Sequence, residues 1–302
     1  MSLEKIKNKI AIIGNQSITK YLINYLQNKG IKINYLITLK NKKKYNVTDP
    51  YNFKNEKIKI IEVETYSLIS KNDKKKLKQL DIDFLIVFGW SRLIPQWTLE
   101  LAKKSTIGVH AGILSPPRSR GRAVFNWALI GGFKKMIYYA MRLKSGIDNG
   151  DIFEKKTCKI NLYDDIESLY FKNSIISSEF FFKIITNWKF YSKKARKQNN
   201  SGSSYFPKRN PDDGFINWRF SSLEISNLVR ALKTPYPNAF TFYKSKKIYI
   251  NDAIPFEINT KIKCEIGEIV EVFPNNKFVV RCNNSFLLVK NFTSSKKFNP
   301  LN

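Results

Sequence analysis

The sequence predicts an α/β protein: a doubly wound, mainly parallel sheet followed by a small β-rich domain. Three observations carry that prediction. Over residues 9–188, short apolar runs alternate with segments of helical spacing. A polar stretch rich in small residues, 193–204, then reads as a linker. Beyond it the pattern changes to short, closely spaced strands. The expected domains are therefore 1–205 and 206–302.

Residues 9–14 read as a buried strand and a turn, and 17–28 as a helix with Ile18, Leu22 and Leu26 on one face. Strands are expected at 31–38, 57–63, 83–88 and 106–110, with helices at 66–80 and 96–104 between them. Ligands of such sheets sit at the carboxyl ends of the strands. His110 stands at one such end, and Gly89-Trp-Ser-Arg-Leu-Ile94 follows another. A helix is expected at 122–130 and strands at 136–143 and 152–160. Asp164-Asp-Ile-Glu167 resembles a capping box that opens a long helix to about Trp188, whose apolar positions read as core. In the second domain, Ser221-Ser-Leu-Glu224 caps a helix to 232. Strands at 240–243, 247–250, 268–273, 277–281 and 286–290 then suggest a small barrel.

Composition narrows the function. The formal net charge of +29 points to an anionic partner: nucleic acid, a nucleotide-linked substrate or a membrane surface. Lys, Asn and Ile are abundant throughout, however, and the lysine runs at 40–44 and 74–78 read as solvated surface. The charge thus leans only lightly toward RNA. No apolar run is long enough to span a bilayer, and the first seven residues lack a signal-peptide core. Cys158, Cys264 and Cys282 are odd in number and widely spaced, which suits a reducing cytoplasm and forms no zinc or redox motif.

The chain has one histidine, which excludes a His-rich metal site, a His–His relay and a His-Glu-x-x-His zinc helix. No metal is expected. Gly14 opens the first strand–helix turn without the glycine series of a dinucleotide fingerprint, so it reads as a plain tight turn and argues against NAD or FAD. His110 ends an apolar run and precedes a loop rich in Pro, Arg and Gly, and Asp148 lies between Gly146 and Gly150. A neutral imidazole can take a proton from an amine, a carboxylate can orient it, and Arg120 and Arg122 on a rigid loop can hold an anion.

Four segments together resemble the successive motifs of N10-formyltetrahydrofolate-dependent formyltransferases. They are Gly89-Trp-Ser-Arg-Leu-Ile-Pro95, Gly108-Val-His110, Arg120-Gly-Arg-Ala-Val-Phe-Asn-Trp127 and Gly146-Ile-Asp-Asn-Gly-Asp-Ile152. The family includes methionyl-tRNA formyltransferase and the sugar N-formyltransferases. The segments 209–218 and 231–240 look like the family's entry into its second domain. The resemblance implies a Rossmann-like catalytic domain, an OB-like second domain, and N10-formyltetrahydrofolate as co-substrate. It implies catalysis by His110 and Asp148, with His110 accepting the proton of an attacking amine and Asp148 supporting it. It maps the folate contacts onto Arg92, Leu93, Ile94, Arg122, Lys144, Ser145, Gly146 and Ile147. Two departures stand out: the loop after His110 is longer than usual, and Gly108 replaces the first residue of the family's Asn-x-His. Losing one oxyanion donor costs about 100- to 1000-fold in rate, and Asn126 is the candidate replacement. The favoured acceptor is the amino group of a nucleotide-linked sugar, for surface polysaccharide synthesis. The alternatives are methionyl-tRNA and a catalytically impaired folate- or RNA-binding relative. A homodimer is also consistent with the sequence.

Overall fold

The central strand β1 (Ile10–Ile13) is buried along its whole length, which a strand requires when helices cover both faces of its sheet. The structure is a computed structural model and describes residues 8–53, 58–260, 262–294 and 300. The elements that follow are α1 (Ser17–Asn28), β2 (Tyr35–Leu39), β3 (Lys59–Val63), α2 (Lys71–Lys78), β4 (Ile82–Val87), α3 (Gln96–Leu99) and β5 (Ala102–Gly112). Next come β6 (Arg120–Gly121), α4 (Val124–Ile130), β7 (Lys135–Arg142), β8 (Asp151–Lys159), α5 (Ile166–Thr186), α6 (Trp188–Lys194) and β9 (Tyr205–Phe206). The chain ends with α7 (Ser222–Ala231), β10 (Ala239–Tyr243), β11 (Lys246–Phe256), β12 (Ile269–Val272), β13 (Phe278–Arg281) and β14 (Phe286–Ser294).

The chain divides into two units. The first comprises Met1–Gly121, Lys135–Cys158 and Tyr170–Tyr205, and the second Arg122–Lys134, Lys159–Leu169 and Phe206–Asn302. The continuous first domain expected from the sequence is thereby corrected: two of its segments group with the second unit. Hydrogen bonds explain why. Arg230 of α7 donates to the carbonyls of Asn161 and Asp164 at 3.3 and 2.6 Å. Asn126 of α4 donates to the Ala231 carbonyl.

In the first unit seven strands form one sheet in the order β3-β2-β1-β4-β5-β7-β8, and the short β6 pairs separately with β9. Pairing is parallel from β3 to β5 and antiparallel between β5 and β7. Successive β4 residues show both faces covered. Phe84 meets Trp188 of α6 edge-on, whereas Leu85 joins the cluster that contains Leu77 of α2. In the second unit, β10-β11-β14-β13-β12 make one antiparallel sheet. All five strands expected there are present, and among the described residues no pairing closes β10 onto β12.

Several boundaries moved for local reasons. The expected helix 66–80 begins only at Lys71, because Leu68 takes a left-handed φ of 57° and the Ser70 side chain caps the later start. The expected helix 96–104 stops at Leu99, since Ala102 already pairs with Ile82 in the sheet. The cap before α5 is Asp165 with Ser168, each side chain receiving the other's N–H, rather than Asp164 with Glu167. Residues 1–7 and Lys57, part of the expected leader reading and third strand, lie outside the described residues.

The stretch 193–204 is not a free linker. Arg196 exchanges backbone hydrogen bonds with Ile152, and the Ser204 carbonyl accepts from Arg120 N. A segment read as polar and loose is laid along the first unit by its own polar groups.

Candidate active site

His110 lies two residues before the end of β5, paired with Tyr139 of β7. The Tyr139 ring meets the imidazole edge-on, with centroids 5.5 Å apart. Burial and the nearby Asp148 carboxylate push the Tyr139 phenol far above its ordinary value, so it stays neutral. The imidazole is therefore flanked by an uncharged ring on the sheet side.

Both ring nitrogens face oxygens. Nε2 lies 3.0 Å from the Ser119 carbonyl, and Nδ1 lies 3.4 Å from Asp148 Oδ2. A carbonyl only accepts, so Nε2 carries a proton there. The Nδ1 contact is longer than a strong charge-assisted hydrogen bond. Asp148 is itself oriented, because Gly121 N donates to the same Oδ2 at 3.1 Å. Its backbone is left-handed, with φ of 48°, a conformation that Asp tolerates better than most residues. Gly150 beyond it is obligatory: a Cβ there would stand 1.9 Å from the Arg142 carbonyl. The expected pair, His110 and Asp148, is thus brought together. Ser119 and Gly121 complete it through backbone atoms, which no side-chain motif could reveal.

The predicted anion-holding arginines are placed differently. Arg120 is only 2% exposed, and its guanidinium donates to Gln198, Asn200 and Tyr205. The bond from Arg120 holds the Tyr205 phenol below its ordinary value. Arg120 is a buried structural cation. Arg122 is exposed and belongs to the second unit, where its N–H meets the Phe206 carbonyl.

The expected replacement for the missing amide is also corrected. Asn126 is 1% exposed and its Nδ2 donates to the Ala231 carbonyl at 2.8 Å. That amide proton is committed to helix packing in the second unit. The space in front of Gly108 is occupied by something else: a Cβ there would lie 2.8 Å from Leu143 Cδ2. An apolar side chain fills the place from which an amide would otherwise extend.

Leu143 also lines a cavity of about 470 Å³, together with Leu99, Lys104, Arg142, Lys144, Ser145 and Asn149. Two polar atoms of that lining, Arg142 Nε and Asn149 Oδ1, are buried without a hydrogen-bond partner. Lys144 and Ser145 border that cavity. Lys144 also pairs with Asp151 at 2.6 Å. Gly146 takes a φ of 111° and Ile147 is 43% exposed. Arg92 lies 4.9 Å from the Tyr66 ring, Leu93 is 64% exposed, and Ile94 packs on the cluster around Trp90. None of these last five lines the cavity.

The turn at Gly14, read from the sequence as a plain tight turn, is closely packed. A Cβ on Gly14 would meet Thr19 Oγ1 at 2.2 Å and the Phe88 carbonyl at 2.3 Å. Thr19 donates to that carbonyl at 2.8 Å. Gly14 is glycine because Thr19 packs against it.

The profile of the formyl transferase family matches residues 8–185, and that of the formyl transferase C-terminal domain matches residues 208–299. The chain belongs to the formyl transferase family. Among curated formyltransferases, the methionyl-tRNA formyltransferase of Thermodesulfovibrio yellowstonii is 35% identical over 176 residues, covering 58% of this chain and 56% of its own. The methionyl-tRNA formyltransferase of Geobacter metallireducens is 27% identical over 216 residues, covering 71% and 67%. These matches thus span between 56 and 67% of the relatives' lengths. Among solved structures, the N-formyltransferase from Helicobacter canadensis, in complex with folinic acid and dTDP-3-aminofucose, superposes with a TM-score of 0.62. At 20% identity over 93% of this chain and 98% of that one, it shares the fold. At Gly108, where the resemblance led us to expect Asn, the flexible end of Leu143 takes up the adjoining space.

Proposed function

We propose that the chain transfers a formyl group from N10-formyltetrahydrofolate to a primary amine on an anionic carrier. The observation that carries this reading is the His110–Asp148 pair, held by Ser119 O and Gly121 N inside a region matched to the formyl transferase family. We place the folate heterocycle in the cavity beside Leu143, whose lining also includes Leu99, Lys104 and Asn149. When bound there, the folate supplies the activated formyl group. Lys144 and Ser145 then border it, as the family resemblance expects. Arg92, Leu93, Ile94, Gly146 and Ile147 remain proposed contacts from outside the cavity lining.

The residues divide the proton work. The loose 3.4 Å contact leaves His110 Nδ1 and the Asp148 carboxylate side by side, the one edge of the ring not held by a backbone carbonyl. An incoming ammonium loses its proton to this pair. The imidazolium so formed is supported by Ser119 O at one nitrogen and Asp148 at the other, and it returns a proton to the leaving amine.

For the acceptor, we favour an amino sugar linked to a nucleotide diphosphate, on the basis of Gly108 and the sequence around His110. Methionyl-tRNA is the second reading, favoured by the similarity to methionyl-tRNA formyltransferases and by the net charge of +29. The test is turnover of N10-formyltetrahydrofolate with dTDP-linked 3-amino sugars and with methionyl-tRNA, at low and high salt. Formylation of the sugar is expected. Steeply salt-dependent formylation of tRNA alone would replace the first acceptor by the second. No transfer to any primary amine, with folate still bound, would overturn the enzyme reading.

A further inference from the structure

Two loops furnish the groups around His110: 113–121 brings Ser119 and Gly121, and 145–150 brings Asp148. Asp148 lies outside regular secondary structure, Gly121 lies in the two-residue strand β6, and Ser119 and Asp148 both sit at positive φ. Both loops are tied to one downstream segment, 196–205. Gln198 is the knot. Its Nε2 donates to the Asp148 carbonyl at 2.9 Å and to the Gly150 carbonyl at 2.8 Å. Its Oε1 accepts from Arg120 Nη2 at 2.8 Å. Asn200 Oδ1 takes the same nitrogen at 2.8 Å, and Ser204 holds Ser119 N and Arg120 N through its hydroxyl and carbonyl.

We infer that Gln198 is a positioning residue for the His110–Asp148 pair, holding the Asp148 loop and the Arg120 loop in register through its side-chain amide. The chemistry of the residue fits that task. An amide is the one side chain of this length that donates to two carbonyls and accepts from a guanidinium at once. The carbonyls it holds belong to Asp148 itself and to Gly150, where the backbone passes too close to Arg142 for any side chain. Arg120 is buried among neutral partners, so its place is set by where those acceptors lie. Gly121 N, which orients the Asp148 carboxylate, is the next residue along. Losing the Gln198 amide therefore removes one tie from each side of the Gly121–Asp148 contact. The groups facing His110 in this arrangement are Asp148 and the neutral Tyr139.

The inference rests on the reading that His110 and Asp148 act as a pair, and its test uses no turnover, so the two fail separately. Because the chain has one histidine, the ring ¹⁵N signals of the labelled full-length protein belong to His110 without assignment. Asp148→Asn sets the direction in which the Nδ1 signal moves when the carboxylate is withdrawn. Gln198→Met, which keeps the length and removes the hydrogen bonds, is expected to move it the same way by less. Gln198→Glu keeps an acceptor for Arg120, so the fold is retained, but it loses both donors to the carbonyls. In that variant the Gly121 amide is expected to exchange about tenfold faster, the size of one lost hydrogen bond, while Arg120 N, bonded to Ser204, exchanges as before. An unmoved His110 signal in Gln198→Met would overturn the inference. So would unchanged Gly121 protection in Gln198→Glu.

Discussion

The ends of β1 and β5 occupy comparable places in the same sheet, and they differ in whether titratable side chains meet there. At the end of β1, Gly14 lies against Thr19, whose hydroxyl is spent on the Phe88 carbonyl. Ser17, at the start of α1, is held to Asp49 by its N–H and by its hydroxyl. The helix N-terminus that binds phosphate in related architectures is closed from within. At the end of β5, His110 faces an oxygen at each nitrogen, one contact of 3.0 Å and one of 3.4 Å. The comparison teaches that the topology offers several strand ends, and that side-chain packing decides which is available. A glycine marks close packing at both, against a hydroxyl at Gly14 and against a leucine at Gly108.

The largest way to break that contrast is His110→Ala. Formyl transfer is expected to fall by about 10²- to 10⁴-fold with the fold retained, since no second histidine can substitute. Near-normal turnover in a folded variant would rule out the base. Asp148→Asn should act less strongly, near the lower end at about 10²-fold, with folate affinity little changed. Its pH–rate profile is the diagnostic: if the profile keeps the wild-type shape, the two side chains are not coupled.

The two glycines sharpen the comparison through stability. Gly14→Ala drives a methyl group into Thr19 and the Phe88 carbonyl, and should cost about 1–3 kcal/mol in urea unfolding. Gly108→Asn meets only the flexible end of Leu143 and should cost less. Adding Leu143→Ala should recover part of the loss, a coupling that a double-mutant cycle measures. Equal costs at the two positions would mean that the end of β5 is as closed as that of β1. The smallest effect on chemistry is expected at Asn126. Asn126→Ala removes the bond to the Ala231 carbonyl and should destabilise the protein by about 1–2 kcal/mol, leaving turnover per folded molecule unaltered. A loss of turnover without a loss of stability would return Asn126 to the site.

Much of this was legible before any coordinates. The α1 limits, the five late strands and the Ser221–Glu224 cap follow from periodicity and local hydrogen-bonding chemistry, which act within a few residues of one another. His110 and Asp148 were legible because unusual side chains sat among glycines and prolines. Ser119 and Gly121 were not, because their backbone atoms do the work and any residue has those. Gln198 was hidden for a different reason: in a polar stretch every Gln and Asn resembles its neighbours until the carbonyls it meets are known.

The sequence by itself determined the order of strands and helices and the α/β class followed by a β-rich part. These depend on hydrophobic period and on residue type. Only the tertiary structure decided that 122–134 and 159–169 group with the second unit, that Arg120 is a buried tether, and that Asn126 spends its amide on Ala231. It also decided that Leu143 fills the space before Gly108. Each is a choice of partner between residues far apart in the chain. A polar group takes whichever partner burial leaves within about 3 Å, and that distance is a property of the folded chain alone.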